Sequence, residues 1–284
     1  MTATTAAPRY CVMGNPVEHS RSPWIHARFA ELAGLPIDYQ RQCVPLDGFA
    51  QAVQAFAAAG GQGCNVTVPF KLEAAQLATT RSERVQLAGA ANTLVLRNGQ
   101  IHADNTDGLG LVADIEQGAG LALAGRDVLL VGAGGAAAGV LGPLLARQPR
   151  RIVVVNRTAA RALALVQAHA ALATLQKVEL QVGSQQEPEG DFDLIINATA
   201  SSLAGGGVPV PASVLRSGSL AYDMMYGPAA QGFLDWAAAQ GARPRDGLGM
   251  LVEQAAESFA LWRGVRPPSA QVLTELRAAL AAGA

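Results

Sequence analysis

Apolar runs of strand length alternate with alanine-rich segments of helical length along most of the chain. In the first third, apolar runs at residues 9–13 and 64–68 and a mixed polar-apolar run at 37–44 are each followed by a segment that favours a helix. Beyond residue 126, four further runs read DVLLV, RIVVV, DLIIN and LAYDMM. Continuous apolar runs of this kind are typical of parallel strands buried on both faces. The alternation predicts an α/β protein built on parallel sheets.

Two other patterns complete the predicted order of elements. Asn98-Gly99, which lies between two apolar runs, is a strong signal for a two-residue hairpin turn. After Met225 no strand is predicted, because the pattern becomes helical. Apolar residues recur there at helical spacing, at Val252, Ala255, Ala256, Phe259 and Trp262. We expect these last helices to pack back across the first domain.

A glycine-rich turn follows the run DVLLV near the middle of the 284 residues. Gly132, Gly134 and Ala137 fit the spacing G-x-G-x-x-G/A, in which small residues permit a tight turn, close approach to a pyrophosphate and close helix packing. The alternative is an ordinary turn between a strand and a helix. Because the turn lies mid-chain, a domain precedes it. We predict a substrate-binding domain at 1–108, a Rossmann-like doubly wound nucleotide domain at 109–246, and returning helices at 247–284.

The end of the next strand indicates which dinucleotide binds. Asn156 lies 24 residues beyond Gly132, near the place where NAD-binding folds carry an acid for the ribose hydroxyl. Asn156 has no charge to repel a phosphate, and Arg157 with Arg161 can bind one in bidentate fashion. The sequence therefore predicts NADP. The alternative is a pair of exposed arginines at a helix start.

Composition narrows the class of partner. A net charge of -1 and the lack of a membrane-length apolar run predict no nucleic-acid or membrane partner. Three cysteines without CxxC spacing, and no signal-like beginning, indicate a cytoplasmic enzyme in a reducing compartment. Four scattered histidines predict no metal site. A small-molecule substrate is expected.

Lys71 stands out because only it and Lys177 are lysines among 21 basic residues. Lys71 follows Asn65 and Thr67 at the carboxyl end of a predicted parallel strand, where ligands bind in open α/β sheets. An ammonium group can give up a proton near neutral pH, whereas a guanidinium cannot. The alternative is a solvated lysine, as Lys177 illustrates.

Two polar clusters flank that position. The first holds Asn15, His19, Ser20 and Ser22 in one short loop, which suits a hydroxylated or carboxylated ligand. Ser22 followed by Pro23 also predicts a helix N-cap, so both interpretations stay open. The second cluster is 104–107, DNTD, of which one acid is expected to cap the helix that begins near Gly108.

Taken together, eight segments resemble one family, the shikimate dehydrogenases of aromatic amino-acid biosynthesis. The resemblance covers most of the chain. It rests on GNPVEHSRSP, NVTVPFK, GAANTL, DNTDGLG, GAGGAA, NRT, YDMMYGP and DGLGMLVEQAA, in that order.

The resemblance implies NADPH-dependent reduction of 3-dehydroshikimate to shikimate, with a role for each matched position. It implies that Lys71 and Asp107 form the catalytic acid-base pair. The implied substrate-binding residues are Ser20, Ser22, Thr67, Lys71, Asn92, Asp107, Tyr226 and Gln254. The implied cofactor-binding residues are Gly132, Ala133, Gly134, Gly135, Ala136, Ala137, Asn156, Arg157, Thr158, Arg161, Thr199, Met224, Gly247 and Met250.

Departures from the family pattern and rival functions qualify this interpretation. Ala27 replaces a polar residue common in the family, and the loop after Thr199 reads ASSLAGG. A quinate/shikimate dehydrogenase that prefers NAD is the nearest alternative. A non-catalytic NADPH-binding regulator is another. A folate-linked dehydrogenase is a third, and the loop that carries Ser20 and Ser22, here called the double-serine loop, does not support it. A monomer or homodimer is expected.

Overall fold

The computed structural model describes residues 7–199 and 208–283. They form two compact units. The first unit contains the described residues up to Thr106 and those from Val252 onward, and the second contains Asp107–Leu251. Helix α9 (Leu248–Arg263) begins in the second unit and continues in the first.

The first unit is an α/β structure with one sheet. Its other elements are β1 (Arg9–Gly14), α1 (Ser22–Ala33), β2 (Asp38–Cys43), α2 (Phe49–Ala58), β3 (Gly61–Val66), α3 (Lys71–Leu77), β4 (Thr80–Arg81), α4 (Glu83–Ala88), β5 (Thr93–Arg97), β6 (Gln100–Asp104) and α10 (Ser269–Ala281). The strand order is β2-β1-β3-β5-β6-β4. Strands β1, β2 and β3 are parallel, whereas β5 runs antiparallel to both β3 and β6.

The second unit is a doubly wound sheet with helices. Its elements are α5 (Asp107–Ala113), a π-helical turn (Asp114–Gly118), β7 (Asp127–Val131), α6 (Gly135–Leu145), β8 (Arg151–Val155), α7 (Ala159–Gln176), β9 (Glu179–Val182), β10 (Phe192–Asn197), a 3₁₀ turn (Ala212–Val214), β11 (Leu215–Asp223), α8 (Pro228–Ala239) and β12 (Arg243–Arg245). Among the described residues of this unit, all five strand pairs are parallel, in the order β12-β11-β10-β7-β8-β9. Numbered from β7, this is the 3-2-1-4-5-6 order of dinucleotide-binding folds.

Burial explains why the sequence patterns predicted these elements. Every residue of β7 is buried, and so are the last four of β8. The apolar stripe of α9 is buried in the first unit, where the Trp262 indole donates to the Leu94 carbonyl at 3.0 Å and stacks on Tyr10. Within the described part of the chain, no helix has the length and apolarity that a membrane crossing requires.

The predicted α/β fold class is confirmed, and several local predictions need correction. A strand does follow Met225, because β12 pairs with β11 at the sheet edge, where Arg-Pro-Arg needs no apolar pattern. Ser22 is not the N-cap of α1. The helix begins at Ser22 after Arg21, and the Ser20 hydroxyl accepts the Ser22 amide at 3.3 Å.

Candidate active site

The chemistry-bearing loops of the first unit lie along one edge of its sheet. Asn65 of β3 pairs with Thr93 of β5, and Thr93 pairs with Asp104 of β6. Because β5 runs antiparallel to its neighbours, its first residue lies beside the last residues of β3 and β6. Three segments therefore meet at this edge. They are the loop after β3, which starts at Thr67, the loop before β5, which ends at Asn92, and the loop after β6, which follows Asp104.

Backbone hydrogen bonds fix the loop that carries Lys71. The Thr67 amide donates to the Met13 carbonyl at 2.9 Å, which ties the ends of β3 and β1 together. The Ala91 amide donates to the Lys71 carbonyl at 2.8 Å, which ties the start of α3 to the residue before Asn92. Lys71 is half-buried and is the first residue of α3. The fold thus places the predicted proton donor on a fixed backbone beside Asn92.

The double-serine loop is held from the neighbouring strand. The Arg41 guanidinium donates twice to the Ser20 carbonyl, at 3.0 and 2.7 Å. Ser20 is half-buried and Ser22 is buried. The two serines are linked directly, since the Ser22 amide donates to the Ser20 hydroxyl.

Asn92 and Gln254 are brought together although 162 positions separate them along the chain. The Asn92 amide nitrogen donates to the Gln254 side-chain oxygen at 3.1 Å and to the Thr106 hydroxyl at 2.9 Å. The Asn92 oxygen accepts the Thr106 backbone amide at 2.8 Å. Both side chains are buried. Two predicted substrate-binding amides therefore form one hydrogen-bonded pair.

Asp107 and Tyr226 are the predicted substrate-side residues that fall in the second unit. Asp107 is buried and is the first residue of α5, directly after the anchored Thr106. Tyr226 is half-buried and follows β11. The predicted partners Lys71 and Asp107 thus belong to different units.

In the second unit, the glycine turn lies at the point where the strand order reverses, between β7 and β10. Gly132 has φ +118, and a Cβ there would lie 3.0 Å from the Ala198 carbonyl oxygen and 3.2 Å from the Thr199 methyl carbon. At Gly134 and Gly135, apart from the chain neighbours and the backbone of the helix itself, no atom of the described residues lies within 4 Å of such a Cβ. Gly135 begins α6, so open space faces the helix N-terminus, the arrangement that binds a pyrophosphate.

Asn156 fastens this turn to the loop after β8. Its side-chain oxygen accepts the Ala133 amide at 3.2 Å, and its amide nitrogen donates to the Thr158 carbonyl at 2.9 Å. Arg157 and Arg161 are exposed. With no acid at the end of β8 and two exposed guanidinium groups beyond it, the residues fit the 2′-phosphate of NADP.

A buried polar pair links the ends of β10 and β11, the fourth and fifth strands of this unit. The Asn197 amide nitrogen donates to the Asp223 carboxylate at 2.9 Å, and the Asn197 side-chain oxygen accepts the Thr199 hydroxyl at 2.7 Å. The Met224 amide donates to the Asn197 carbonyl at 3.0 Å. The pair holds two predicted cofactor-binding residues, Thr199 and Met224, against the same strand end.

Sequence reasoning missed a second buried cluster, centred on Asp114 in the π-helical turn. The Tyr222 hydroxyl donates to Asp114 at 2.7 Å, and the Arg245 guanidinium donates to the same carboxylate at 2.8 Å. Burial, with Asp114 adding to it, raises the pKa of Tyr222 well above its usual range, and the hydrogen bond to Asp114 raises the pKa of Arg245. No local pattern in the sequence marks Asp114.

The other predicted cofactor residues also have definite environments. Ala137 is fully buried in α6, as expected of the small residue that lets the helix pack closely. The Gly247 amide donates to the Met225 carbonyl at 2.8 Å, and Met250 is buried in the core of the second unit. The unusual loop at 200–207 lies outside the described residues.

Comparison with known proteins assigns the family. Sequence profiles match residues 12–94 as the shikimate dehydrogenase substrate binding domain, 113–204 as shikimate / quinate 5-dehydrogenase and 247–277 as the shikimate 5'-dehydrogenase C-terminal domain. The shikimate dehydrogenase (NADP(+)) of Acidovorax sp. strain JS42 is 79% identical over 281 residues, 99% of this chain and 100% of that protein. The chain belongs to the shikimate dehydrogenase family.

Solved structures of similar proteins agree with this assignment. An Ael1 enzyme from Pseudomonas putida is 45% identical with a TM-score of 0.87, over 95% of this chain and 98% of its own. The shikimate 5-dehydrogenase of Thermus thermophilus, solved in complex with NADP(H) and shikimate, is 30% identical with a TM-score of 0.82, over 96% and 99%. The predicted shikimate dehydrogenase family and the predicted enzyme class, an oxidoreductase, are confirmed.

Proposed function

We propose that this chain catalyses the reversible NADPH-dependent reduction of 3-dehydroshikimate to shikimate, in the biosynthesis of aromatic amino acids. One observation carries the proposal. In the first unit, Lys71 lies at the sheet edge where the polar residues Asn65, Asn92 and Thr106 meet, which we call the polar edge. In the second unit, an open glycine turn follows β7 and two exposed arginines follow β8. Relatives named shikimate dehydrogenase (NADP(+)), which match almost the whole chain, support it.

The polar edge of the first unit supplies groups of the kind that a polyhydroxylated carboxylate needs. Ser20 and Ser22 bind the substrate carboxylate in this proposal, and Thr67, Asn92 and Gln254 bind its ring hydroxyls. Tyr226 is a further proposed substrate-binding residue. Amides and hydroxyls in a buried setting discriminate strongly for hydroxyl groups, because an analogue that lacks one leaves a protein group unpaired.

Lys71 serves as the proton donor and acceptor at the reacting oxygen. Reduction turns the ketone oxygen into a hydroxyl, so that oxygen gains one proton, which Lys71 gives from its ammonium group. In the reverse direction the lysine amine takes the proton back. An arginine in its place could not do this near neutral pH. Asp107 is the second member of the proposed acid-base pair and accepts a hydrogen bond from a substrate hydroxyl.

The second unit binds the cofactor, which supplies the hydride when it is bound. The turn from Gly132 to Ala137 holds the pyrophosphate, and Asn156, Arg157, Thr158 and Arg161 surround the 2′-phosphate end. Met224, Gly247 and Met250 border the nicotinamide, and Thr199 is a further cofactor-binding residue. The arginines and the absence of an acid at the end of β8 favour NADP over NAD.

A panel of substrates and cofactors tests the proposal. Purified enzyme is assayed for dinucleotide reduction with shikimate and with quinate, each with NADP and with NAD, and kcat/KM is compared. The expected result is the highest kcat/KM for shikimate with NADP. Equal or higher values for quinate or NAD would favour the quinate/shikimate alternative. If the protein binds NADPH in calorimetry but oxidises neither shikimate nor quinate, the result would favour the non-catalytic NADPH-binding regulator.

Two further properties stay predictions. Cys11, Cys43 and Cys64 are free thiols, which supports a reducing cytosol as the working compartment. Assembly as a monomer or homodimer is a prediction that light scattering on the purified protein decides.

A further inference from the structure

A set of buried hydroxyl groups lies beneath the paired amides of Asn92 and Gln254. Ser258, one helical turn after Gln254 on α9, is fully buried. Its oxygen lies 2.8 Å from the Thr93 hydroxyl, and it accepts the Asn65 amide nitrogen at 3.0 Å. Ser258 was not among the residues predicted from the sequence. It contacts β3 through Asn65, β5 through Thr93, and the segment after β6 through the Thr106 hydroxyl at 3.3 Å.

The orientation of the Asn92 amide is fixed by a group that can only donate. The Thr106 backbone amide lies 2.8 Å from one end of that side chain, so this end is the carbonyl oxygen. The amide nitrogen consequently points to Gln254, 3.1 Å away. Because that nitrogen can only donate, Gln254 must present its own oxygen. The orientation of Gln254 therefore depends on the orientation of Asn92.

Thr93 connects Ser258 to this pair. The Thr93 hydroxyl donates its single proton to the Asn92 oxygen at 3.0 Å, so it accepts the Ser258 hydroxyl, 2.8 Å away. The Gln254 backbone carbonyl, 3.1 Å from the same Ser258 hydroxyl, is the competing acceptor. The Asn65 amide nitrogen also reaches Thr93, at 3.3 Å, but its contact with Ser258 is the shorter of the two. Loss of the Ser258 hydroxyl would leave Asn65 and Thr93 competing for fewer partners in a buried setting, where unpaired groups are costly.

We propose that Ser258 is a positioning residue for substrate binding, which acts through Thr93 to hold the Asn92 and Gln254 amides in the orientation that the substrate hydroxyls require. This inference rests on the proposed function, because it assumes that the two amides bind shikimate. Ser258 itself does not need to touch the substrate.

The test compares Ser258→Ala with Ser219→Ala. Ser219 is a matched control, since it is a buried serine of the second unit whose hydroxyl donates to the Phe192 carbonyl at 2.6 Å. Ser258→Ala is expected to raise KM for shikimate, and Kd for shikimate measured by calorimetry without cofactor, about 3- to 10-fold. Its kcat and its KM for NADP should stay within about twofold of wild type. Ser219→Ala should leave shikimate binding unchanged.

Two further variants separate positioning from mere packing. Ser258→Thr keeps the hydroxyl and should restore most of the shikimate affinity. Thr93→Val removes the connecting hydroxyl with little change of shape, and combining it with Ser258→Ala should raise Kd by less than the product of the single effects. The single variant Thr93→Val also keeps the inference testable if Ser258→Ala does not fold, because it removes the connecting hydroxyl by itself.

The outcomes distinguish the inference from the proposed function. Wild-type enzyme that neither binds nor oxidises shikimate would overturn both. An active wild-type enzyme whose Ser258→Ala variant binds shikimate with unchanged Kd would overturn the inference alone. So would a variant that loses shikimate and NADP affinity equally, because that pattern indicates a general loss of packing.

Discussion

A Cβ atom added to Gly249 would overlap the carboxylate of Asp114. Gly249 lies in the first turn of α9, and Asp114 is the buried acid that accepts the Tyr222 hydroxyl and the Arg245 guanidinium. A carboxylate held by two partners cannot move aside without breaking one of these bonds. Glycine at 249 is therefore required by the close approach of Asp114.

We predict that Gly249→Ala lowers the free energy of unfolding by about 1–3 kcal/mol, the usual cost of forcing an extra carbon into a packed site. Urea unfolding followed by circular dichroism measures it. Gly232→Ala is the matched control, because Gly232 is an exposed position inside α8 and nothing lies within 4 Å of the added carbon. It should stabilise by about 0.5–1 kcal/mol. Equal effects of the two substitutions would contradict the packing argument.

The second prediction concerns the proton donor. Lys71→Ala should lower kcat for shikimate oxidation by about 10² to 10⁴, the usual contribution of a general acid or base, with little change in KM. Lys71→Arg should be nearly as poor, since a guanidinium keeps its proton. Steady-state kinetics with shikimate and NADP measure both.

The chain offers one control for this experiment, because Lys177 is its only other lysine. Lys177 is the C-cap that follows α7 and has the left-handed backbone conformation, with φ 59. Lys177→Ala should leave kcat unchanged. A Lys71→Ala enzyme of wild-type kcat would remove Lys71 from the proton-transfer step.

The third prediction concerns cofactor choice. Replacing both Arg157 and Arg161 by alanine should raise KM for NADP at least about tenfold and leave KM for NAD nearly unchanged, because charge-assisted bonds to a phosphate are lost. Arg147→Ala is a control, since Arg147 is an arginine of the same unit paired with Glu116 at 3.3 Å. If the double variant keeps its full preference for NADP, these arginines do not bind the 2′-phosphate.

The buried strands and the turn between them were predictable because their signals are local. Strands β7, β8 and β10 each consist mainly of consecutive apolar residues, because both faces of each strand are buried. The Asn98-Gly99 hairpin has the positive φ values, 52 and 73, that its residues favour. These elements need no information from distant parts of the chain.

Edge strands and side-chain clusters were harder to predict because their causes are not local. Strand β9 is half-exposed and β12 is Arg-Pro-Arg, so neither has an apolar pattern. Asp114 meets Tyr222, 108 positions away, and Asn92 meets Gln254, 162 positions away. Gln254 was found only through the family resemblance, and Ser258 and Asp114 were not found at all.

The last prediction concerns stability at low pH and rests on His26. The imidazole is fully buried and stacks on Tyr39, with ring centroids 4.3 Å apart. Burial lowers its pKa to about 3, against a smaller raising effect of Asn65. In the unfolded chain the histidine has its ordinary pKa of 6.5. Between these values the unfolded chain binds a proton that the folded chain does not.

It follows that His26 is neutral in both states above pH 6.5 and favours unfolding as pH falls below it. His26 alone should lower the free energy of unfolding by up to about 1.4 kcal/mol per pH unit, down to about pH 3. His26→Phe, which keeps a buried aromatic ring, should remove this part of the acid sensitivity. Urea unfolding of both proteins, repeated at steps of about one pH unit between about pH 7.5 and about pH 4, measures the free energy of unfolding at each pH. The stability difference between them should be constant above pH 6.5 and should shift in favour of the variant below it, whereas parallel curves throughout would show that His26 does not control acid unfolding.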